Sequence, residues 1–261
     1  MNMKELQEKL TEKQLNIFQQ IKYSFFVFKS LILNRNDVWW ILFFFLIDCV
    51  RITGVYLFQN TAFSPMLNLF SIFKFCYYLA LFLFYQKVIF KIEEKNYLRL
   101  GQPASKFFFL YFIYYIVSYI GESFFPYLLA FFDEFLLVFL AVYLIAMAIL
   151  WLYMFYFIPL FSARPFNLRE SWDYNLNLMK GNRLKLVFPG IIFFLFYFSA
   201  AFLFLIQIFP IFEGLNIEML FLASKIGIVI VVFFNTFMMI FFVILHCIIY
   251  LNVEYMDRKI K

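Results

Sequence analysis

Long apolar runs alternate with short polar connections along most of the chain, and the apolar residues within each run show no two-residue alternation. Six runs, at residues 38–58, 65–88, 107–129, 135–161, 184–209 and 219–251, each reach the roughly 20 residues that a helix needs to cross a hydrocarbon core. The pattern predicts an all-α fold, a polytopic transmembrane helical bundle of six spans. Residues 2–33 differ. There Leu6, Leu10, Ile17, Phe18, Ile21, Phe25, Phe28 and Ile32 form a helical stripe opposite charged positions, with Glu5 four residues before Lys9. This predicts one amphipathic helix on the cytosolic surface, within an N-terminal segment 1–37 that Asn34-Arg35-Asn36-Asp37 closes; a core-packed helix or a coiled-coil partner is the other reading. A membrane domain 38–251 and a cytosolic tail 252–261 complete the organisation.

A polar stretch, residues 162–185, interrupts the apolar runs before the fifth span. Asn167 followed by Glu170 has the spacing of an N-cap with its capping-box partner. Gly181-Asn182 supplies a helix stop, and Lys180, Arg183 and Lys185 place positive charge near the negative end of the helix dipole. The stretch predicts a second interfacial helix over 167–180, with Trp172 and Tyr174 at headgroup depth; a connecting helix packed under the bundle fits the same residues. The run Asn175-Leu176-Asn177-Leu178-Met179-Lys180-Gly181-Asn182, entered from Pro159 and followed by an apolar span, resembles the cytosolic segment of a broad bacterial membrane-protein family. That family includes the membrane domain of some glycerophosphodiester phosphodiesterases. The resemblance covers about forty residues, 157–196, and a Ser commonly stands where this chain has Asn175. It implies a multi-span helical membrane domain and no active site. The catalytic phosphodiesterase domain of the larger relatives is expected to be absent, because few residues follow the last apolar run.

Composition agrees with the pattern: 66% of residues are hydrophobic and 15% charged, against soluble averages of about 45–50% and 25%. The 44 Phe and 18 Tyr suit lipid-facing surfaces, with Phe standing in for Leu. Charge adds direction. Of the 22 basic residues, all but Arg51, Lys74 and Lys225 fall in the N-terminal segment, in the tail, or in and at the edges of the second and fourth connections. The alternate connections carry Asp133, Glu134, Glu213 and Glu218 and no basic residue. The positive-inside rule then puts both termini in the cytosol, in a bacterial cytoplasmic membrane if the resemblance holds. The net charge of +6 is a topology signal and implies no nucleic-acid partner. The first run follows a polar helix and lacks a cleavage site of small residues, so it reads as an anchor. Cys49, Cys76 and Cys247 lie in apolar runs and are expected as free thiols.

Charges inside the apolar runs are the candidate chemistry. Each costs a few kcal/mol at the bilayer centre unless it has a partner or a wet cavity. Counting about 1.5 Å per residue puts Asp48 and Lys74 near mid-depth, and Arg51 and Glu122 further out. These four are expected to form an intramembrane polar cluster, Asp48 bonded to Lys74 or Arg51, and Arg51 reaching Glu122. A structural network and a substrate or proton site are both open. Asn235 and His246 are weaker signals, and one His makes no metal site. Glu93-Glu94 with Arg99 is similar to the acidic-basic motif of one intramembrane protease class at a spacing longer by one, and reads as a solvated charged loop. Nucleophile-elbow, zinc-protease and phosphate-loop motifs are absent from the sequence. No enzyme activity, metal or cofactor is therefore expected. The expectation is a non-catalytic accessory or scaffold protein whose partners are the lipid bilayer and a membrane protein; the alternative is a small-molecule or ion transporter using the charged cluster.

Overall fold

The computed structural model describes residues 1–58, 64–95, 103–113, 115–116, 156–182 and 217–260, and all of its described elements are helices. In chain order these are α1 (Met3–Glu12), α2 (Ile17–Leu33), α3 (Arg35–Phe58), α4 (Ser64–Ile92), α5 (Pro103–Ile113), α6 (Phe157–Ala163), α7 (Leu168–Met179) and α8 (Ile217–Ile260). Among the described residues, two segments, Phe73–Ile92 and Val232–Lys259, are long and apolar enough to cross a membrane. The pair α2 and α3, bent by 100° at Asn34, makes a third if the two halves count as one span. Most of the sequence-predicted spans 107–129, 135–161 and 184–209 lies outside the described residues.

The expected single helix over residues 2–33 is two helices. Asn16 caps α2, its side chain accepting from the Gln19 N–H while Gln19 reaches back to the Asn16 N–H. Asn2 and Glu5 make the same reciprocal pair at the start of α1. Each box satisfies N–H groups that the first turn leaves without an intrahelical partner. α1 packs on the ends of α4 and α8, and its Leu6 and Leu10, one turn apart, are fully buried there. Gln7 of α1 donates to the carbonyl of Ile92 at the end of α4.

α8 is continuous for 44 residues, about 66 Å at 1.5 Å per residue and twice the thickness of a hydrocarbon core. It runs on to Ile260, through nearly all of the segment 252–261 expected as a cytosolic tail. Tyr85 bonds to His246, and eight residues further on Glu93 accepts from Tyr255, nine residues past His246, so α4 and α8 run parallel. Between α3 and α4 sits an aromatic cluster in which Phe44 packs edge-on against Phe84 and Tyr77 at 5.5 and 5.7 Å. These edge-to-face contacts suit the ring quadrupole.

α4 ends with Glu94 in the left-handed region, φ 50°, while the Lys95 N–H closes onto the Phe90 carbonyl. This position favours glycine, because a Cβ crowds the carbonyl there. Glu94→Gly is therefore expected to raise stability by up to about 1 kcal/mol, seen as a higher unfolding midpoint in detergent.

Candidate functional site

Among the described residues, the largest concentration of buried charge lies where the ends of α4 and α6 meet α8 near Glu254, and local sequence explains how each member arrives. Pro165 disfavours a helical conformation for the residue before it. Arg164 accordingly leaves α6 in an extended conformation, φ −104° and ψ 147°, with its N–H still bonded to the Leu160 carbonyl. Its side chain is thereby turned between Glu93, one residue past α4, and Glu254 on α8.

The guanidinium binds both carboxylates. Nη1 and Nη2 donate to Glu93 at 2.9 and 2.6 Å. Nε and Nη2 donate to Glu254 at 3.0 and 2.5 Å, and Nε also points at the Tyr250 hydroxyl at 3.3 Å. Tyr255 donates to Glu93 at 3.1 Å, and Arg258 donates to Glu254 at 2.6 Å. Lys95 approaches Glu93 at 3.0 Å from a half-exposed position. The side chains of Arg164, Glu93 and Glu254 are each at most 5% exposed. Burial pushes the Glu93 carboxyl up, but the hydrogen bonds and charges of Arg164 and Lys95 outweigh it and hold the pKa below the ordinary glutamate value. For Arg164, burial disfavours the cation, and the bonds to Glu93 and Glu254 overcome this and raise its pKa. The reading of Glu93-Glu94 as a solvated charged loop is thus corrected at Glu93, which is buried against a partner from a distant segment. Lys106 of α5 donates to the carbonyls of Phe161 and Arg164 at 3.1 and 2.6 Å, covering the last turn of α6, and burial lowers its pKa.

A second buried charge sits at the corner between α2 and α3. Asp37 receives Lys87 and Lys91 of α4, both at 2.5 Å. Lys91 also donates to the Ser30 carbonyl of α2, and the Lys87 ammonium lies 5.5 Å from the Trp40 ring centroid. One carboxylate therefore joins three helices.

Of the four residues expected as an intramembrane cluster, Asp48 is fully buried and its Oδ2 accepts from Asn235 at 3.1 Å and Thr236 at 3.0 Å, both on α8. The Lys74 side chain is exposed. Arg51's side chain and all of Glu122 lie outside the described residues. Sequence reasoning paired Asp48 only with charges and so missed the neutral donors, although Asn235 had been noted separately. His246 is a core residue, bonded to the Tyr85 hydroxyl at 2.9 Å.

In α7 the Asn167 side-chain Oδ1 accepts from the Glu170 N–H at 2.9 Å, and the Glu170 carboxylate accepts from the Asn167 N–H. Ser171, Asn175, Leu178 and Met179 form its buried face. Trp172 is over a third exposed and touches Phe157 edge-on, while Tyr174 packs on Phe166. The helix closes with Lys180 at φ −62° and ψ 115° and Gly181 at φ 82°, and the Asn182 N–H reaches the Met179 carbonyl. This is a type II turn, whose third position favours glycine. Arg183 lies outside the described residues.

Asn252 of α8 provides a further joint. Its amide donates to the carbonyls of Leu10 at 2.8 Å and Lys13 at 3.0 Å, and its oxygen accepts from the Leu15 N–H at 3.1 Å. One side chain thus satisfies the chain break between α1 and α2. Among the described residues, no three His, Cys, Asp or Glu side chains converge as a metal site would require, and the three cysteines are free. No family model, curated protein or solved structure matches this chain.

Proposed function

We propose that the chain is a six-span helical protein of a bacterial cytoplasmic membrane, with both termini cytosolic, that acts as a non-catalytic accessory or scaffold on lipid or on a membrane partner. The all-helical fold, the two or three helices fit to span and the placement of basic residues support the membrane part. The resemblance around Asn175–Asn182 supports a membrane domain without an active site.

The non-catalytic part rests on the Arg164 centre. General acid-base chemistry needs a group free to exchange a proton with a substrate. Here Nε, Nη1 and Nη2 of Arg164 are all engaged by two carboxylates and a tyrosine from other segments. Such saturation suits a joint between helices.

A second reading, transport, is favoured by one observation: Asp48 is fully buried beside Asn235 and Thr236 on a helix fit to span. The experiment is purification in mild detergent with mass spectrometry of the lipids and proteins that stay bound, alongside uptake in cells carrying Asp48→Asn. A stoichiometric bound species with uptake unaffected supports the accessory reading. Uptake that requires the Asp48 carboxylate overturns it.

A further inference from the structure

We infer that the outward stripe of α2 is a binding strip for anionic phospholipid headgroups of the leaflet it faces. Phe18, Lys22, Phe25, Lys29 and Ile32 follow one another at alternating steps of four and three, which puts them on one face of a helix. That face is open: all five side chains are exposed, Phe18 at 83%, as is the neighbouring Leu33 at 74%. The opposite face, with Gln20, Tyr23, Ser24, Val27 and Leu31, is buried against the rest of the protein.

Two observations select the occupant. The first is the change in chemistry at the 100° corner. Before it, the outward stripe interleaves lysines with large apolar groups; after Asn36, the exposed face of α3 as far as Val50 is Trp39, Leu42, Phe43, Leu46 and Val50, with no charge. A near-right-angle bend between a mixed stripe and a purely apolar one matches the two zones of a membrane. α3 suits hydrocarbon, and α2 suits the boundary where rings enter the acyl region and lysines reach up to phosphates.

The second observation is charge. α2 contains no acidic residue, and Asp37, the carboxylate at the corner, is buried and bonded to Lys87 and Lys91. Lys22, Lys29 and Arg35 therefore face outward without an acidic neighbour on their own stripe, complementary to an anionic surface. Lysine alternating with apolar side chains along the stripe also argues against a protein occupant, since the core of a protein interface is depleted in it.

The inference rests on the membrane reading above, and the test separates the two. Full-length protein in mild detergent is titrated with phosphatidylglycerol and, separately, phosphatidylcholine of the same acyl chains, and bound lipid is counted by native mass spectrometry. Phosphatidylglycerol is expected to bind more tightly. Lys22→Gln, Lys29→Gln and Arg35→Gln are each expected to cut that preference by about fivefold, and Lys22→Arg with Lys29→Arg to preserve it. An absence of preference in the unaltered protein, a preference that survives the triple Gln variant, or a shift from dimer to monomer in that variant overturns the inference, the last by showing that a second copy covers the strip. Carbonate washing of membranes supplies the separate control. Protein retained in the pellet with no lipid preference sinks the headgroup strip alone, whereas protein released by the wash sinks the membrane reading as well.

Discussion

Arg164→Ala is expected to lower stability by about 3–5 kcal/mol, because it strands two buried carboxylates beside one another without the cation they share. Denaturant or thermal unfolding in detergent would register the loss. Arg164→Lys keeps the charge but not the planar fork that holds Glu93 and Glu254 at once, and should fall between. A triple variant with Arg164→Met, Glu93→Gln and Glu254→Gln removes the charges together and should recover most of the loss, since compensated removal avoids the uncompensated burial. Acid should reproduce part of the defect. The Glu93 pKa is lower folded than unfolded, so its contribution is present above the ordinary glutamate value of about 4.3 and is lost as pH falls through the depressed folded value. Glu93→Gln should flatten that acid limb. An Arg164→Ala protein with an unchanged unfolding midpoint would show that the three helix ends are held by something else.

Asn252→Ala is the second large effect, about 2–4 kcal/mol, since it leaves the Leu10 and Lys13 carbonyls and the Leu15 N–H without the partner that satisfies them. Its readout is local. Hydrogen exchange should quicken around residues 10–16 and along α1, whose Leu6 and Leu10 depend on that placement for their burial, while the Arg164 centre keeps its protection. Uniform loss of protection throughout the described helices would mean that α1 and α2 are part of one cooperative unit with α4 and α8.

What the sequence made legible was chiefly local. Asn167 and Glu170 announce a helix start because the bonds concerned span only three residues, and Gly181 announces a stop because few other residues accept its backbone angle. The same signal stands at Asn16 and Gln19, yet the apolar repeat on either side of it suggested one helix, and periodicity outweighed the cap. Glu93 was illegible for a different reason. Its partner Arg164 is 71 positions away, and a count of basic residues by membrane side treats every loop charge as solvated, although some of these charges hold helices together. Asp48 shows the converse limit: an argument from charge looks for countercharge and passes over amide and hydroxyl donors such as those of Asn235 and Thr236. The number of spans, too, came from runs of apolar residues, and much of the stretch carrying the middle three is not among the described residues.

The joint at Asn252 sets a schedule. Leu10, Lys13 and Leu15 leave the ribosome well over two hundred residues ahead of the side chain that finally holds them. At about 5–20 residues per second that interval is roughly 12–50 s. During it, the two leucines of α1 that end up fully buried have neither α4 nor α8 to cover them at first, and then only α4. α1 and the start of α2 are thus made long before they are locked. If the α2 stripe adheres to lipid as inferred above, that adhesion would also keep the unfinished chain parked beside the place where α8 arrives.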